Sequence, residues 1–194
     1  MDFGEFIGGF DTFDLLVVLY FAGFFVLGYF QGTIRRLLGI ASILFSFLVA
    51  ANVREPLGQF LAQNWRQFPT EYAYMIGFLT VFLAGTIAFT VVIQGFYKTQ
   101  PLFEKQRFAD ELLGGALGIV QAAIFLACVV VVLDSFFTVP GIPTSPNELP
   151  LVREFWQAFN ESNTAGLFRD TIVPGLLTLS GPFVPGSIKQ FFPG

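Results

Sequence analysis

Residues 14–51, DLLVVLYFAGFFVLGYFQGTIRRLLGIASILFSFLVAA, decide how this chain folds. Two apolar blocks flank a short polar hinge, Gln31-Gly32-Thr33, with the paired cations Arg35 and Arg36 directly after it. Neither 15–34 nor 37–53 holds a charged residue, so each block has about the 20 residues that cross a ~30 Å hydrocarbon layer as a helix. The stretch reads as a membrane hairpin.

The rest of the composition fits a bilayer as solvent. Charged residues make up 12% of the 194, about half the share of an ordinary soluble domain, and the mean hydropathy is +0.69. A net charge of -4 excludes the clustered cationic excess that phosphate-backbone binding needs, so no nucleic acid is expected as a partner. With no His and a single Cys, Cys128, neither a disulfide framework nor a Cys/His metal site is available, and no cofactor is expected. Cys128 reads as a small lipid-facing or packing residue. The N-terminus carries Asp2, Glu5, Asp11 and Asp14 and no basic residue, so no cleavable signal peptide is expected and the first helix serves as its own anchor.

Taken in order, the first span is expected over about 13–31, with Asp11 or Asp14 capping its start. The second, about 33–53, is expected to stop before Arg54-Glu55-Pro56, because proline disfavours helix at the preceding residue. Residues 54–71 then read as an amphipathic interfacial connection, with Leu57, Phe60, Leu61 and Trp65 at helical spacing. A third uncharged run covers 72–97 and ends on Lys98. The mixed-charge patch of Lys98, Glu104, Lys105, Arg107, Asp110 and Glu111 follows, and a fourth span covers about 112–134.

The fold class is therefore an all-α membrane protein: four transmembrane helices in two hairpins over residues 1–138, then a Pro/Gly-rich tail over 139–194. Within the tail, Leu151, Val152, Phe155, Trp156 and Phe159 predict a short amphipathic helix at about 150–160. The uncharged run 171–188 is broken by Pro174, Pro182 and Pro185, so it is expected to lie on the surface or pack against the bundle.

Basic residues near span ends orient the bundle. Arg35 and Arg36 mark the first connection and Lys98, Lys105 and Arg107 the third, which puts both on the cytoplasmic side and both termini outside. Asp14 and Asp134 then stand at the outer ends of the first and fourth spans, and Arg35, Arg36, Arg107 and Asp110 at the inner ends. Active transporters carry ionisable groups at membrane depth, and here only Gln94 and Gln121 supply strong polarity within or near a span.

Two small-residue motifs belong to the inner side, Gly28-Tyr-Phe-Gln-Gly32 and Gly114-Gly-Ala-Leu-Gly118. Glycines four apart share a helix face and admit a neighbouring backbone. They serve packing alone, or they border a pore, a ligand or a partner helix. Arg35-Arg36 is a topology signal, or a contact for anionic headgroups or for Asp110.

In combination, Asp14, Gly28-x-x-x-Gly32-x-x-Arg35-Arg36 and Phe108-Ala-Asp110-x-x-Leu113-Gly114-Gly-x-x-Gly118 resemble the CvpA family, the bacterial colicin V production proteins. The resemblance covers roughly residues 12–138, and the tail from about Pro140 has no matching pattern. Asp14, Gly28, Gly32, Arg36, Asp110, Gly114 and Gly118 are the matching positions. Where the family carries a basic residue followed by Gly, this chain has Gln121-Ala122, and Glu111 stands where an Arg commonly follows the Asp.

The resemblance implies a small, non-enzymatic protein of the bacterial inner membrane, tied to production or export of the colicin V toxin and to envelope homeostasis. Some members fuse this unit to a serine protease domain, whereas a chain without His has no Ser-His-Asp triad. Expected partners are the lipid bilayer and a membrane-protein partner or a second copy. Two other readings stand beside it: a structural subunit docking onto a larger membrane complex, for which the 27 Phe residues supply contact surface, and a small channel or transporter.

If Arg35-Arg36 orients the chain, the double variant Arg35→Glu, Arg36→Glu inserts wrongly. A cysteine at Ser145 in a Cys128→Ala background, labelled from either side of the membrane, reads this out; normal abundance and unchanged sidedness would contradict it.

Overall fold

The computed structural model describes residues 12–66, 68–96, 107–138 and 150–180. Expectations for the acidic N-terminus, for Lys98, Glu104 and Lys105, for the side chain of Gln94, for the prolines at 140–146 and for the end of the tail lie outside the described residues. Four long helices come first: α1 (Thr12–Gln31), α2 (Thr33–Asn64), α3 (Thr70–Phe96) and α4 (Arg107–Phe137). Each contains a stretch apolar and long enough to cross a membrane, with mean hydropathy between 1.9 and 2.8. The tail adds α5 (Pro150–Glu161), α6 (Asn163–Leu167), a π-helical turn (Phe168–Ile172) and α7 (Val173–Ser180). Among the described residues there is no strand.

The helices exceed the uncharged runs at several ends. The main correction is α2, which passes through Pro56 to Asn64 instead of stopping at about 53. Proline inside a helix costs about 3 kcal/mol through its lost N–H bond and its clash with the preceding turn. Here the turns after it are held by α3: the Tyr74 ring lies against Gly58, and Leu61 and Leu57 pack over Gly77. Residues 54–64, expected as a separate connection, therefore continue the helix that carries the second apolar run. At 32 residues, α2 is about 48 Å long against a hydrocarbon thickness of ~30 Å. In α4, Asp110 and Asp134 are likewise inside the helix and buried.

The core lies between α2, α3 and α4. Phe47 of α2 meets Phe78 and Phe82 of α3 edge-on, with centroids 5.5 and 6.2 Å apart, and Tyr72 meets Phe136 at 5.4 Å. Cys128 is fully buried among the valines of α4, which settles it as a packing residue. The outward faces stay apolar, with Leu15, Leu16, Leu19, Phe30, Ile87 and Phe96 among the exposed side chains, as a bilayer requires.

The two arms of the opening hairpin do not pack along their length. Instead α1 lies antiparallel on α4, and α2 pairs with α3. The glycine motifs explain that pairing, because each fills the gap the other leaves. A Cβ on Gly28 would strike the Gly114 carbonyl oxygen, one on Gly114 would come within 2.9 Å of the Gly32 Cα, and one on Gly118 would strike the Phe24 carbonyl oxygen. Gly32 ends α1 at φ +75, a left-handed conformation that glycine adopts without Cβ strain, and a Cβ there would sit 2.6 Å from Asp110 Oδ2. Helices in lipid associate chiefly through close contact of this kind, since there is no water to exclude between them.

Gly28→Leu or Gly114→Leu therefore destabilises the bundle by about 3 kcal/mol, the upper end for overpacking, since the obstacle is backbone that cannot rotate away. Gly23→Leu is the control, because nothing lies within 4 Å of a Cβ at Gly23. Thermal unfolding in detergent measures the difference, and equal melting of the Gly28 and Gly23 variants would contradict it.

Candidate functional site

The polar groups gather at the two ends of the bundle. At the end where α1 turns into α2, Thr33 Oγ1 donates to the Asp110 carbonyl at 3.1 Å and ties the start of α2 to the start of α4. One turn further, Arg36 points inward. The residue is 5% exposed, Nη1 donates to Gln121 Oε1 at 2.8 Å, and the guanidinium carbon lies 5.8 Å from the Phe24 ring centre. Gln121 has room for this because Gly39 faces it, and a Cβ on Gly39 would be 2.6 Å from Nε2. Gln121 thus does what a basic residue at that place would not: it offers Arg36 an acceptor.

A cavity of about 240 Å³ opens beside this contact. Arg35, Arg36, Gln31 and Gln121 face it with Thr86 and Thr90 of α3, and Phe24, Leu27, Ile43, Ile93 and Phe125 complete the wall. Among the described residues its lining has donors and no carboxylate, a combination suited to an oxyanion. No group of three or more His, Cys, Asp or Glu that could hold a metal ion occurs among the described residues.

At the opposite end two buried acids hold the tail. Asp11 or Asp14 was expected to cap the first helix; Asp11 lies outside the described residues, and the Asp14 carboxylate faces the tail. Oδ2 accepts from Asn163 Nδ2 at 3.0 Å, and Oδ1 accepts from Thr164 Oγ1 at 2.7 Å and Thr164 N at 3.2 Å. Asp14 thus satisfies free N–H groups at the start of α6, where the helix dipole favours negative charge. Asp134, 2% exposed, accepts a two-pronged pair from Arg169, Nε to Oδ2 at 2.9 Å and Nη2 to Oδ1 at 2.8 Å, and a third bond from Trp156 Nε1 at 2.8 Å. Hydrogen bonding to Asp134 pushes the Arg169 pKa above the ordinary guanidinium value while burial opposes it, so the guanidinium stays charged throughout the physiological range. Around these bonds, Trp156 stacks on Phe137 at 5.1 Å and Phe13 meets Phe155 and Phe159 edge-on.

The nine sequence-predicted positions thus divide into two groups. Gly28, Gly32, Gly114, Gly118, Asp110, Arg35 and Arg36 come together at one end, and Asp14 and Asp134 share the other. Arg36 pairs with Gln121, a partner the sequence reading had not proposed. Sequence reasoning also missed Asn163, Thr164 and Arg169. Arg169 stands almost alone as a cation in the apolar second half of the tail, and Asp134 closes an uncharged span, so charge complementarity was the signal that pairs them.

Asp134→Ala leaves Arg169 and Trp156 without their acceptor. The expected cost to tail docking is about 3 kcal/mol, the lower end for a broken buried pair because the Arg169 side chain is 28% exposed. Limited proteolysis would then cut the tail faster than in the parent. Identical cleavage rates would show that the carboxylate does not hold it.

A sequence model of the family described as Colicin V production protein matches residues 13–172, well over half of the chain. The match extends past the expected boundary near 138 and includes Asn163, Thr164 and Arg169, so the acid-held tail belongs to the matched unit. No curated protein and no solved structure matches the chain.

Proposed function

The chain belongs to the colicin V production protein family, and from that premise we propose that it is a non-enzymatic, multi-pass protein of the bacterial inner membrane that supports toxin production or export and envelope homeostasis. The observation that carries the reading is the extent of the match, which takes in all four apolar helices and the tail as far as residue 172. The fold supports a scaffold better than a machine. The α1–α4 contact is backbone against backbone, and the tail is clamped to the bundle through Asp14 and Asp134.

In the proposed orientation the Arg35-Arg36 end faces the cytoplasm, and both termini with the clamped tail face outward, in keeping with the basic residues near the span ends. A second reading, a subunit that docks onto a larger membrane complex, draws on α2. Its length carries the α2–α3 pair past the hydrocarbon on the tail side, where Phe60 and Trp65 are exposed. A partner protein would find an apolar grip there.

In a colicin V-producing bacterium deleted for its own family member, expression of this chain restores toxin release without changing toxin transcript levels. A halo assay on a sensitive lawn reads this. Release that stays at the deletion level, with the chain inserted and abundant, would contradict the role.

A further inference from the structure

We propose that the cavity beside Arg36 is the headgroup site of one bound anionic phospholipid, whose acyl chain runs on into the apolar groove between α1 and α3. This goes beyond the toxin-related role and does not depend on it.

Three observations converge. First, three buried side-chain atoms lack a hydrogen-bond partner among the described residues, Arg36 Nε, Thr86 Oγ1 and Ser46 Oγ, and the first two belong to residues that line this one cavity. Leaving a buried donor without an acceptor costs about 1–3 kcal/mol, more for a charged group, so a buried arginine N–H in the wall of a cavity points to a ligand that supplies an acceptor there. A phosphate diester supplies oxygens in the geometry that guanidinium groups favour. Second, Arg35 lines the same cavity, so two cations face it without a lining carboxylate among the described residues to neutralise them. That selects a negatively charged ligand.

Third, an apolar hollow lies next to the cavity, across Phe125. Phe125 lines both it and a second, larger hollow of about 700 Å³ walled by Leu16, Val17, Leu83, Val129 and Leu133, which reaches Phe155 of the tail helix. From Gln121 to Leu133 along α4 is about 18 Å at the helical rise, comparable with half of a ~30 Å hydrocarbon core. An acyl chain of about that length matches the distance along α4 from Gln121 to the Leu133 end of the groove. A free phosphate would meet the same donors and still lose hydration against Phe24, Ile43 and Phe125, whereas a lipid phosphate brings chains whose burial in the groove offsets that loss.

Native mass spectrometry of the full chain in detergent tests this, with phosphatidylglycerol, diacylglycerol of the same chains and inorganic phosphate as separate probes. The proposal expects one phosphatidylglycerol retained per chain, diacylglycerol not retained, and no displacement by inorganic phosphate. Arg36→Gln should weaken retention about tenfold, the worth of one charge-assisted hydrogen bond. Arg107→Gln, at an exposed position that does not line the cavity, should leave it unchanged. Because Arg36→Gln removes a buried contact and can impair folding, Val17→Trp provides a second arm: it fills the groove from a half-buried position and should expel the lipid from a normally eluting, helical protein. Equal retention of diacylglycerol, displacement by inorganic phosphate, or full retention by either variant would overturn the proposal.

Discussion

Everything else in this protein depends on how closely α1 can approach α4. Two helices in lipid gain little from hiding apolar surface, since acyl chains are as apolar as leucine, so their association rests on van der Waals contact at short range. Gly28, Gly114 and Gly118 permit that range: each removes the Cβ that would strike a carbonyl of the facing helix. The left-handed turn at Gly32 then fixes where α2 departs, and the chain reverses beside Asp110. From this follow the α2–α3 pair, the cavity between the two pairs, and the alignment of Asp14 with Asp134 at the far end.

Placing polar groups at both ends of an otherwise apolar bundle gives each end its own chemistry. At one end the groups are cations and amides around a hollow, and at the other they are carboxylates already satisfied by the tail. The distinction is physical: Asp134 is filled by three donors, whereas Arg36 keeps one N–H without a partner among the described residues. The filled end holds structure together, and the unfilled end is where a ligand has something to gain.

Much of this was legible in the sequence. Uncharged runs of span length gave the four helices, and the glycine spacing gave a close approach, although not the identity of the partner: nothing in Gly28-x-x-x-Gly32 says that it meets Gly114 rather than another helix. The extent of α2 was misread because Pro56 is a strong local signal, and the contacts that outweigh it, Tyr74 on Gly58 and Leu61 on Gly77, are distant in sequence. Asp14 was read, with Asp11, as a candidate cap for the first helix for the same reason. Its donors, Asn163 and Thr164, lie some 150 residues away. That Arg36 is buried against Gln121 could not be read from Arg35-Arg36 itself, because burial of a charge cannot be seen without the helix that covers it.

The central claim is that the glycines of α1 and α4 occupy one shared contact. A double-mutant cycle measures it directly, using the unfolding free energies in detergent of Gly28→Ala, Gly114→Ala and the two combined. Contacting residues couple, with interaction energies of about 0.5–3 kcal/mol, whereas separate sites add. The account predicts that the double variant loses clearly less than the two single losses together, because one added methyl already forces the helices apart. Strict additivity would mean that the two glycines do not share a contact, and the helix pairing described here would be wrong.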